Sequence, residues 1–122
     1  MKTFEELGVS PEIRKAIEEL GYENPMPVQE EVIPYLLGNG NDVVALAQTG
    51  TGKTAAFALP VLNKLINHKT RGRREIKALI LTPTRELALQ IHESIEAYGR
   101  HTGIRSCVIF SIDSTQQYSY RP

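Results

Sequence analysis

The sequence predicts an α/β fold in which helices flank a parallel sheet. Helix-forming stretches alternate with short apolar runs at residues 42–47, 78–82 and 106–110, and continuous apolar runs are typical of strands covered on both faces. The first run leads through a Gly-rich turn into a helix-forming stretch, which is the order of a phosphate-binding loop. Ligands of such folds bind at the carboxyl ends of the strands, so we expect the functional residues there.

Composition narrows the possible functions. The chain has 122 residues, 41% of them hydrophobic, and a formal net charge of zero. This length suits one domain or part of one, and the neutral balance argues against a globally basic nucleic-acid binder, so any polyanion site must be local. No secretory leader or membrane-length apolar run is present, so we expect a reducing cytoplasm and no membrane partner. The single cysteine, Cys107, lies in the third apolar run and is expected to be buried.

Four helices are expected. Ser10 and Pro11 are a cap and a first helical residue, and they predict a helix that runs to Leu20 and stops at a glycine. A second helix is predicted over residues 27–38, with a kink at its internal proline. The third and fourth are predicted over residues 53–67 and 86–100.

The connection between the third helix and the second apolar run is basic. We interpret residues 69–77 as a solvated surface segment, because no aromatic residues are interleaved with the charges. A nucleic-acid contact is the alternative. The three histidines, His68, His92 and His101, show no metal-ligand spacing and are expected on the surface or on helix faces.

Residues 47–54 read Ala-Gln-Thr-Gly-Thr-Gly-Lys-Thr, a relaxed form of the phosphate-loop pattern. Glycines allow the backbone to approach a ligand so that successive N–H groups point at phosphate oxygens. Lys53 would reach the β- and γ-phosphates and Thr54 would hold Mg²⁺. The alternative is a Gly/Thr-rich turn with a solvated lysine. The predicted nucleotide ligands of this loop are Gln48, Thr49, Gly50, Thr51, Gly52, Lys53 and Thr54, and the last two are also the candidate catalytic residues.

A resemblance extends well beyond this loop. Together with Phe4, residues 21–29, 47–54 and 83–88 resemble, in order and spacing, the opening motifs of the first RecA-like domain of DEAD-box RNA helicases. The resemblance covers residues 1–110. It implies a partial RecA-like P-loop NTPase domain, with ATP and Mg²⁺ as ligands and RNA as a partner.

The same resemblance assigns an adenine pocket. A glutamine placed like Gln29 reads the adenine edge in that family, and a side-chain amide can supply the donor and the acceptor that adenine requires. An aromatic residue placed like Tyr22 packs against the base, and Phe4 matches an aromatic kept near the pocket. Packing within the protein is the alternative for Tyr22, and a structural lid is the alternative for Phe4.

The resemblance also assigns an RNA site. Pro83, Thr84 and Arg85 follow the second apolar run and open a helix, so backbone N–H groups and the Thr84 hydroxyl could bind an anion. In the family this motif contacts the RNA sugar-phosphate backbone without reading sequence. For Arg85, an internal salt bridge that orders the loop is the alternative.

The final residues depart from the family pattern. A Gly-Gly pair is expected after Phe110, but residues 111–122 form a polar stretch without apolar periodicity, which we interpret as a divergent tail. The Asp-Glu-Ala-Asp box and the second helicase domain have no counterpart in these residues. We therefore expect a truncated domain that binds ATP and RNA with little hydrolysis or unwinding, and that leaves apolar strand edges unpaired. A non-catalytic ATP- or RNA-binding or partner-dependent module is the alternative, and a generic P-loop ATPase or kinase is a more distant one.

Overall fold

The helices lie where the sequence predicts them. The computed structural model describes residues 2–38, 42–46, 52–68, 75–111 and 118–121. In chain order the elements are α1 (Pro11–Glu19), α2 (Pro27–Gly38), α3 (Lys53–Ile66), α4 (Arg85–Tyr98), β1 (Val108–Ser111) and β2 (Tyr118–Arg121). Each of the four expected helices is present, with ends within two residues of the expected ones.

Local signals explain the helix boundaries. Pro11 occupies the first turn of α1, where a missing N–H costs nothing. Gly21 follows α1 with a φ of 89°, a left-handed conformation that glycine adopts without strain. Pro34 and Pro60 lie inside α2 and α3, which continue past them.

The core lies where α1, α3 and α4 meet beneath the N-terminal segment. Helix α3 contacts α1, α2 and α4, so it forms the centre of the described fold. Its Leu59 and Leu62 are buried with Ile13 and Ile17 of α1. The remaining members of the cluster are Phe4, Leu7, Val9, Ile33, Ala55, Ala58 and Tyr98.

Two of the three expected strands do not form a ladder. Within the described residues, 42–46 and 75–82 have no strand pairing. Side chains that a buried sheet would cover are instead 78 to 94% exposed: Val44, Leu46, Ile76, Leu79 and Leu81. A strand is stabilised by a hydrogen-bonded neighbour, and neither segment has one among the described residues. The expectation of strands at 42–47 and 78–82 is therefore wrong for the described residues, and the expectation of unpaired strand edges stays a prediction.

The third expected strand forms as β1 but pairs antiparallel, with Val108 opposite Arg121 and Ser111 opposite Tyr118. Its partner, β2, lies in the polar stretch interpreted from the sequence as a divergent tail. The polar composition of residues 118–121 does not predict a strand. Pairing with a single neighbouring strand requires no alternation of apolar residues, so the strand forms without that signal.

The expectation that Cys107 is buried is wrong, because the residue is exposed. Along this strand Val108 is buried and Ile109 is 60% exposed. Side chains alternate between the two faces of a strand, so this alternation indicates that only one face is covered. The continuous apolar run had suggested that both were. No helix among the described residues is long and apolar enough to cross a membrane.

Candidate nucleotide and RNA sites

The N-terminus of α3 is built to receive an anion. Gly52 caps the helix with a φ of 82° and no side-chain cap, and its carbonyl accepts a hydrogen bond from Ala56 N at 3.1 Å. The N–H groups of the first turn have no carbonyl partner within the helix and lie at the positive end of its dipole. Lys53 is exposed and Thr54 half-buried at this end. The predicted ligands Gln48, Thr49, Gly50 and Thr51 lie outside the described residues.

Gln29 joins α2 to this N-terminal end of α3. Its side chain is buried, with only 2% of the residue exposed. Nε2 donates to the Gly52 carbonyl at 3.2 Å, and Oε1 accepts from the Met26 amide at 2.9 Å. A primary amide has two N–H donors and two acceptor lone pairs. Among the described residues, one donor and one lone pair of the Gln29 amide therefore have no partner, and their use for a base edge stays a prediction.

Met26 is a site residue that the sequence analysis did not identify. Its backbone orients the Gln29 amide, and a Cβ added to Gly52 would lie only 2.8 Å from its sulfur and would also contact the Gln29 amide nitrogen. The close approach therefore requires a glycine at position 52. The only sequence signal for Met26 was its position between two prolines close to Gln29. That position did not predict a contact with Gly52.

The two aromatic candidates are held by packing within the protein. Phe4 is buried in the core cluster. The Tyr22 ring meets Tyr98 of α4 edge to face, with centroids 5.9 Å apart, and the two hydroxyl oxygens are 2.9 Å apart. Burial, followed by the hydrogen bond to Tyr22, raises the pKa of Tyr98 far above its usual value. The Tyr22 contacts match its packing alternative. A contact with adenine stays a prediction for both residues, as does the lid alternative for Phe4.

Thr84 caps the N-terminus of α4. Its Oγ1 accepts from Leu87 N at 3.2 Å, and its carbonyl accepts from the Thr82 hydroxyl at 3.0 Å. Pro83 and Thr84 are exposed. The Thr84 hydroxyl that caps the helix still has its own proton to donate, so it can bind a phosphate oxygen together with first-turn N–H groups.

Arg85 is placed by an aromatic ring. The guanidinium carbon lies 4.5 Å from the centroid of the Phe110 ring on β1, which is a cation–π geometry. Among the described residues no carboxylate pairs with Arg85, in contrast to Arg14 and Arg100, which each pair with a glutamate. The salt-bridge alternative for Arg85 stays a prediction, because residues 112–117, which include an aspartate, lie outside the described residues. The contribution of Phe110 could not be read from the sequence.

The interpretation of the basic connection as a solvated surface segment stays a prediction. Residues 69–74 lie outside the described residues. His92 contacts Ser106 and Glu96, and His101 binds Glu19. The described residues contain no group of three or more potential metal ligands.

Comparison with known proteins decides the family. Residues 26–121 match the family model "DEAD/DEAH box helicase". The chain belongs to this family. The match includes most of the polar stretch, and the domain boundary proposed at residue 110 stays a prediction.

Curated relatives agree. The chain is 54% identical over 108 residues to the ATP-dependent rRNA helicase rrp3 of Schizosaccharomyces pombe, which covers 88% of this chain and 22% of that protein. It is 49% identical to the probable ATP-dependent RNA helicase DDX47 of Homo sapiens, across 95% of this chain and 25% of that one. The chain thus spans about a quarter of the length of the curated relatives that it matches.

Solved structures confirm the fold class. The RNA helicase Prp28 of Chaetomium thermophilum, bound to ADP, matches with a TM-score of 0.82 and 35% identity over 94% of this chain and 28% of that one. Dbp5 of S. cerevisiae, bound to RNA and ADP BeF3, matches with a TM-score of 0.80 and 38% identity over 89% of this chain and 27% of that one. The chain is therefore a partial α/β domain of the RecA-like class, even though two of the expected strands do not form among the described residues.

Proposed function

We propose that this helicase chain binds ATP with Mg²⁺ at the N-terminus of α3 and the RNA backbone at the N-terminus of α4, as part of an ATP-dependent RNA helicase. The observation that supports the proposal most directly is the hydrogen bond from Gln29 to Gly52. It connects the residue proposed to read adenine with the residue proposed to receive phosphate. A single ligand with a base and phosphates would satisfy both.

The phosphate end relies on α3. First-turn N–H groups and the Lys53 ammonium would bind the phosphate oxygens, and the Thr54 hydroxyl would hold Mg²⁺. Bound Mg²⁺ neutralises phosphate charge. The left-handed Gly52 backbone, which has no room for a Cβ, fits a loop that must come close to a ligand.

At the base, the proposal relies on Gln29. The second N–H donor and the second lone pair of its amide suit adenine. They do not suit guanine, which offers acceptors at the corresponding positions. Phe4 and Tyr22 would bound the pocket, with their main contribution through packing. Prp28 is described as bound to ADP and Dbp5 as bound to RNA and ADP BeF3, which supports both ligand classes for this chain.

The 122 residues alone would turn over ATP poorly. They contain no Asp-Glu-Ala-Asp sequence, so no acid is matched by motif to the positioning of the attacking water. Arginine fingers, which we assign to a second helicase domain as partner, are worth roughly 10³ to 10⁵ in rate in phosphoryl transfer. The chain would therefore bind ATP without efficient hydrolysis or unwinding. A cytoplasmic location stays a prediction from the sequence.

One observation favours a second candidate, a partner-dependent module. Among the described residues, the segments 42–46 and 75–82 expose apolar side chains and make no strand pairing, so their backbone could pair with strands of another chain. Such a module would bind nucleotide only when the partner strands are present, whereas the first candidate predicts binding by the chain itself.

Titration with a fluorescent ATP analogue tests nucleotide binding. Lys53→Ala should weaken binding by about 10- to 100-fold, because a charge-assisted hydrogen bond is worth about 1.5–3 kcal/mol. Lys64→Ala removes the same charge from the opposite end of α3 and should leave the affinity unchanged. Equal effects of the two substitutions, or no effect of Lys53→Ala, would refute the phosphate site.

Two further measurements test the base and the turnover. ATP should compete better than GTP, and Gln29→Glu should remove the preference because a carboxylate lacks the amide donor. Equal competition in the unsubstituted chain would remove the adenine assignment. Phosphate release should be undetectable with or without single-stranded RNA, and RNA-stimulated release that disappears in Lys53→Ala would show that the chain alone is catalytic.

A further inference from the structure

Phe110 is the residue of β1 that no motif in the chain explains. Its ring is half-buried, and the Arg85 guanidinium carbon lies 4.5 Å above its centroid. Arg85 itself is exposed and is the first residue of α4. An exposed arginine samples many rotamers, and fixing one of them has an entropic cost. A ring beneath the guanidinium reduces that freedom before any ligand arrives.

The position of Arg85 over the ring does not use its hydrogen-bond donors. A guanidinium is planar, and its five N–H donors point outward in that plane. A cation–π contact is made through the charge and the π face, so the donors can still form the paired hydrogen bonds that suit a phosphate. A carboxylate partner would occupy those donors, and none among the described residues pairs with Arg85. The ring therefore orders the side chain without consuming its hydrogen-bonding capacity.

The neighbouring helix end completes the arrangement. Thr84 caps α4 through Leu87 N, which fixes the backbone from which Arg85 extends. Helix α4 also packs on β1, so the ring and the arginine are held by two elements in contact. One phosphate group could then bind the first-turn N–H groups, the Thr84 hydroxyl and the Arg85 guanidinium together.

We propose that Phe110 is a positioning residue for RNA binding, which holds the Arg85 guanidinium in the orientation that contacts the sugar-phosphate backbone. The inference rests on the proposed RNA site at α4 and adds to it a residue on a different element. Phe110 acts through Arg85 and makes no contact with RNA itself.

The first measurement requires no RNA. In NMR spectra of the unsubstituted chain, the Arg85 side-chain protons should be shifted upfield by the ring current of Phe110. Phe110→Leu should abolish the shift and Phe110→Tyr should retain it, while Ile109→Ala, at the exposed neighbour on the same strand, should leave it unchanged. An Arg85 signal that is the same in the unsubstituted chain and in Phe110→Leu would overturn the proposal.

The second measurement is a double-mutant cycle on the affinity for single-stranded RNA of uniform sequence. An exposed cation–π contact corresponds to roughly a two- to fivefold change in an equilibrium constant, so Phe110→Leu should weaken binding by that factor and Phe110→Tyr should restore it. Arg85→Gln should weaken binding and flatten the dependence of log affinity on log salt by about 0.7. In the Arg85→Gln background, Phe110→Leu should have no further effect.

These variants separate the inference from the function on which it rests. If Arg85→Gln leaves RNA affinity unchanged, or the unsubstituted chain does not bind RNA, the RNA site is wrong and the role of Phe110 is overturned with it. If Arg85→Gln weakens binding but Phe110→Leu does not, only the positioning role is wrong. If Phe110→Leu weakens binding equally in both backgrounds, Phe110 acts by packing and the proposal is again overturned. Urea denaturation of each variant identifies any that fail to fold, and the Tyr variant, which keeps the ring, supplies the comparison in that case.

Discussion

Gly52 gives the sharpest test of how the nucleotide site is built. Any residue with a Cβ at its φ of 82° incurs about 1–2 kcal/mol of left-handed strain. Here the Cβ would also lie 2.8 Å from the Met26 sulfur and would contact the Gln29 amide nitrogen. The thioether is flexible and can move, but the amide is buried and bonded at both ends. Gly52→Ala should therefore displace Gln29 and remove the bond to the residue 52 carbonyl.

The magnitude follows from these two contributions. Leaving a buried polar group without its partner costs about 1–3 kcal/mol, so Gly52→Ala should destabilise the chain by about 2–5 kcal/mol in total. Gly21 has a similar φ of 89°, and nothing lies within 4 Å of an added Cβ there. Gly21→Ala should thus cost the strain alone, about 1–2 kcal/mol, and is the matched control.

Urea denaturation of the two variants, with linear extrapolation to water, measures the difference. The reasoning also requires coupling between the two residues that touch. With Gln29 shortened to alanine the obstruction disappears, so Gly52→Ala in a Gln29→Ala background should cost little more than Gly21→Ala. Equal destabilisation by Gly21→Ala and Gly52→Ala, or additive effects of the Gln29 and Gly52 substitutions, would refute this description of the contact.

Four further predictions concern the rest of the fold. Asn63→Ala should lower the free energy of unfolding by about 1–3 kcal/mol, since its amide bonds both a donor and an acceptor of the backbone before α1; a urea midpoint unchanged from the parent would contradict this. Thr84→Ala should cost about 1 kcal/mol through the lost cap and Thr84→Ser almost nothing, so equal urea midpoints for these two variants would argue against the cap. The hydrogen bond from His101 is the main cause of a Glu19 pKa below 4.5. The unfolded chain therefore binds more protons at Glu19, and stability is lost as the pH falls below about 4.5. Glu19→Gln should be less stable than the parent at neutral pH and equally stable at acidic pH, so a difference in stability that persists in acid would contradict the pairing. Cys107, being exposed, should react with a maleimide in the folded chain at a rate close to that in urea, and strong protection would contradict its exposure.

The sequence predicts what is decided locally. Helix ends could be read because a proline in the first turn and a glycine after the last turn act on their own neighbours, as at Pro11 and Gly21. Strands depend on partners that the local sequence does not identify. The run at 78–82 has the composition of a buried strand, yet Leu79 and Leu81 face solvent because no described neighbour covers them. The polar residues 118–121 pair with β1 although their composition gave no indication of it.

The candidate sites show the same division. The phosphate-loop pattern predicts a role for Lys53, and the family resemblance predicts roles for Gln29 and for the motif around Arg85. The contacts that orient them join residues far apart in the chain, as between Gln29 and Gly52, 23 positions away. No period or spacing specifies such a pair, and only the packing of α2 against α3 brings it together.

That packing makes the fold and the nucleotide site inseparable at Gln29. Burying an amide without partners is unfavourable, and here both ends of the side chain are satisfied by backbone groups, one next to α2 and one at the start of α3. An apolar residue of similar size would fill the space but could not hold the Gly52 carbonyl, and a smaller polar one could not span the gap. The residue proposed to present a donor and an acceptor to adenine is therefore also the one that contacts the N-terminal end of α3. A base that binds this amide would bind a group already hydrogen-bonded to Gly52, the residue proposed to receive phosphate.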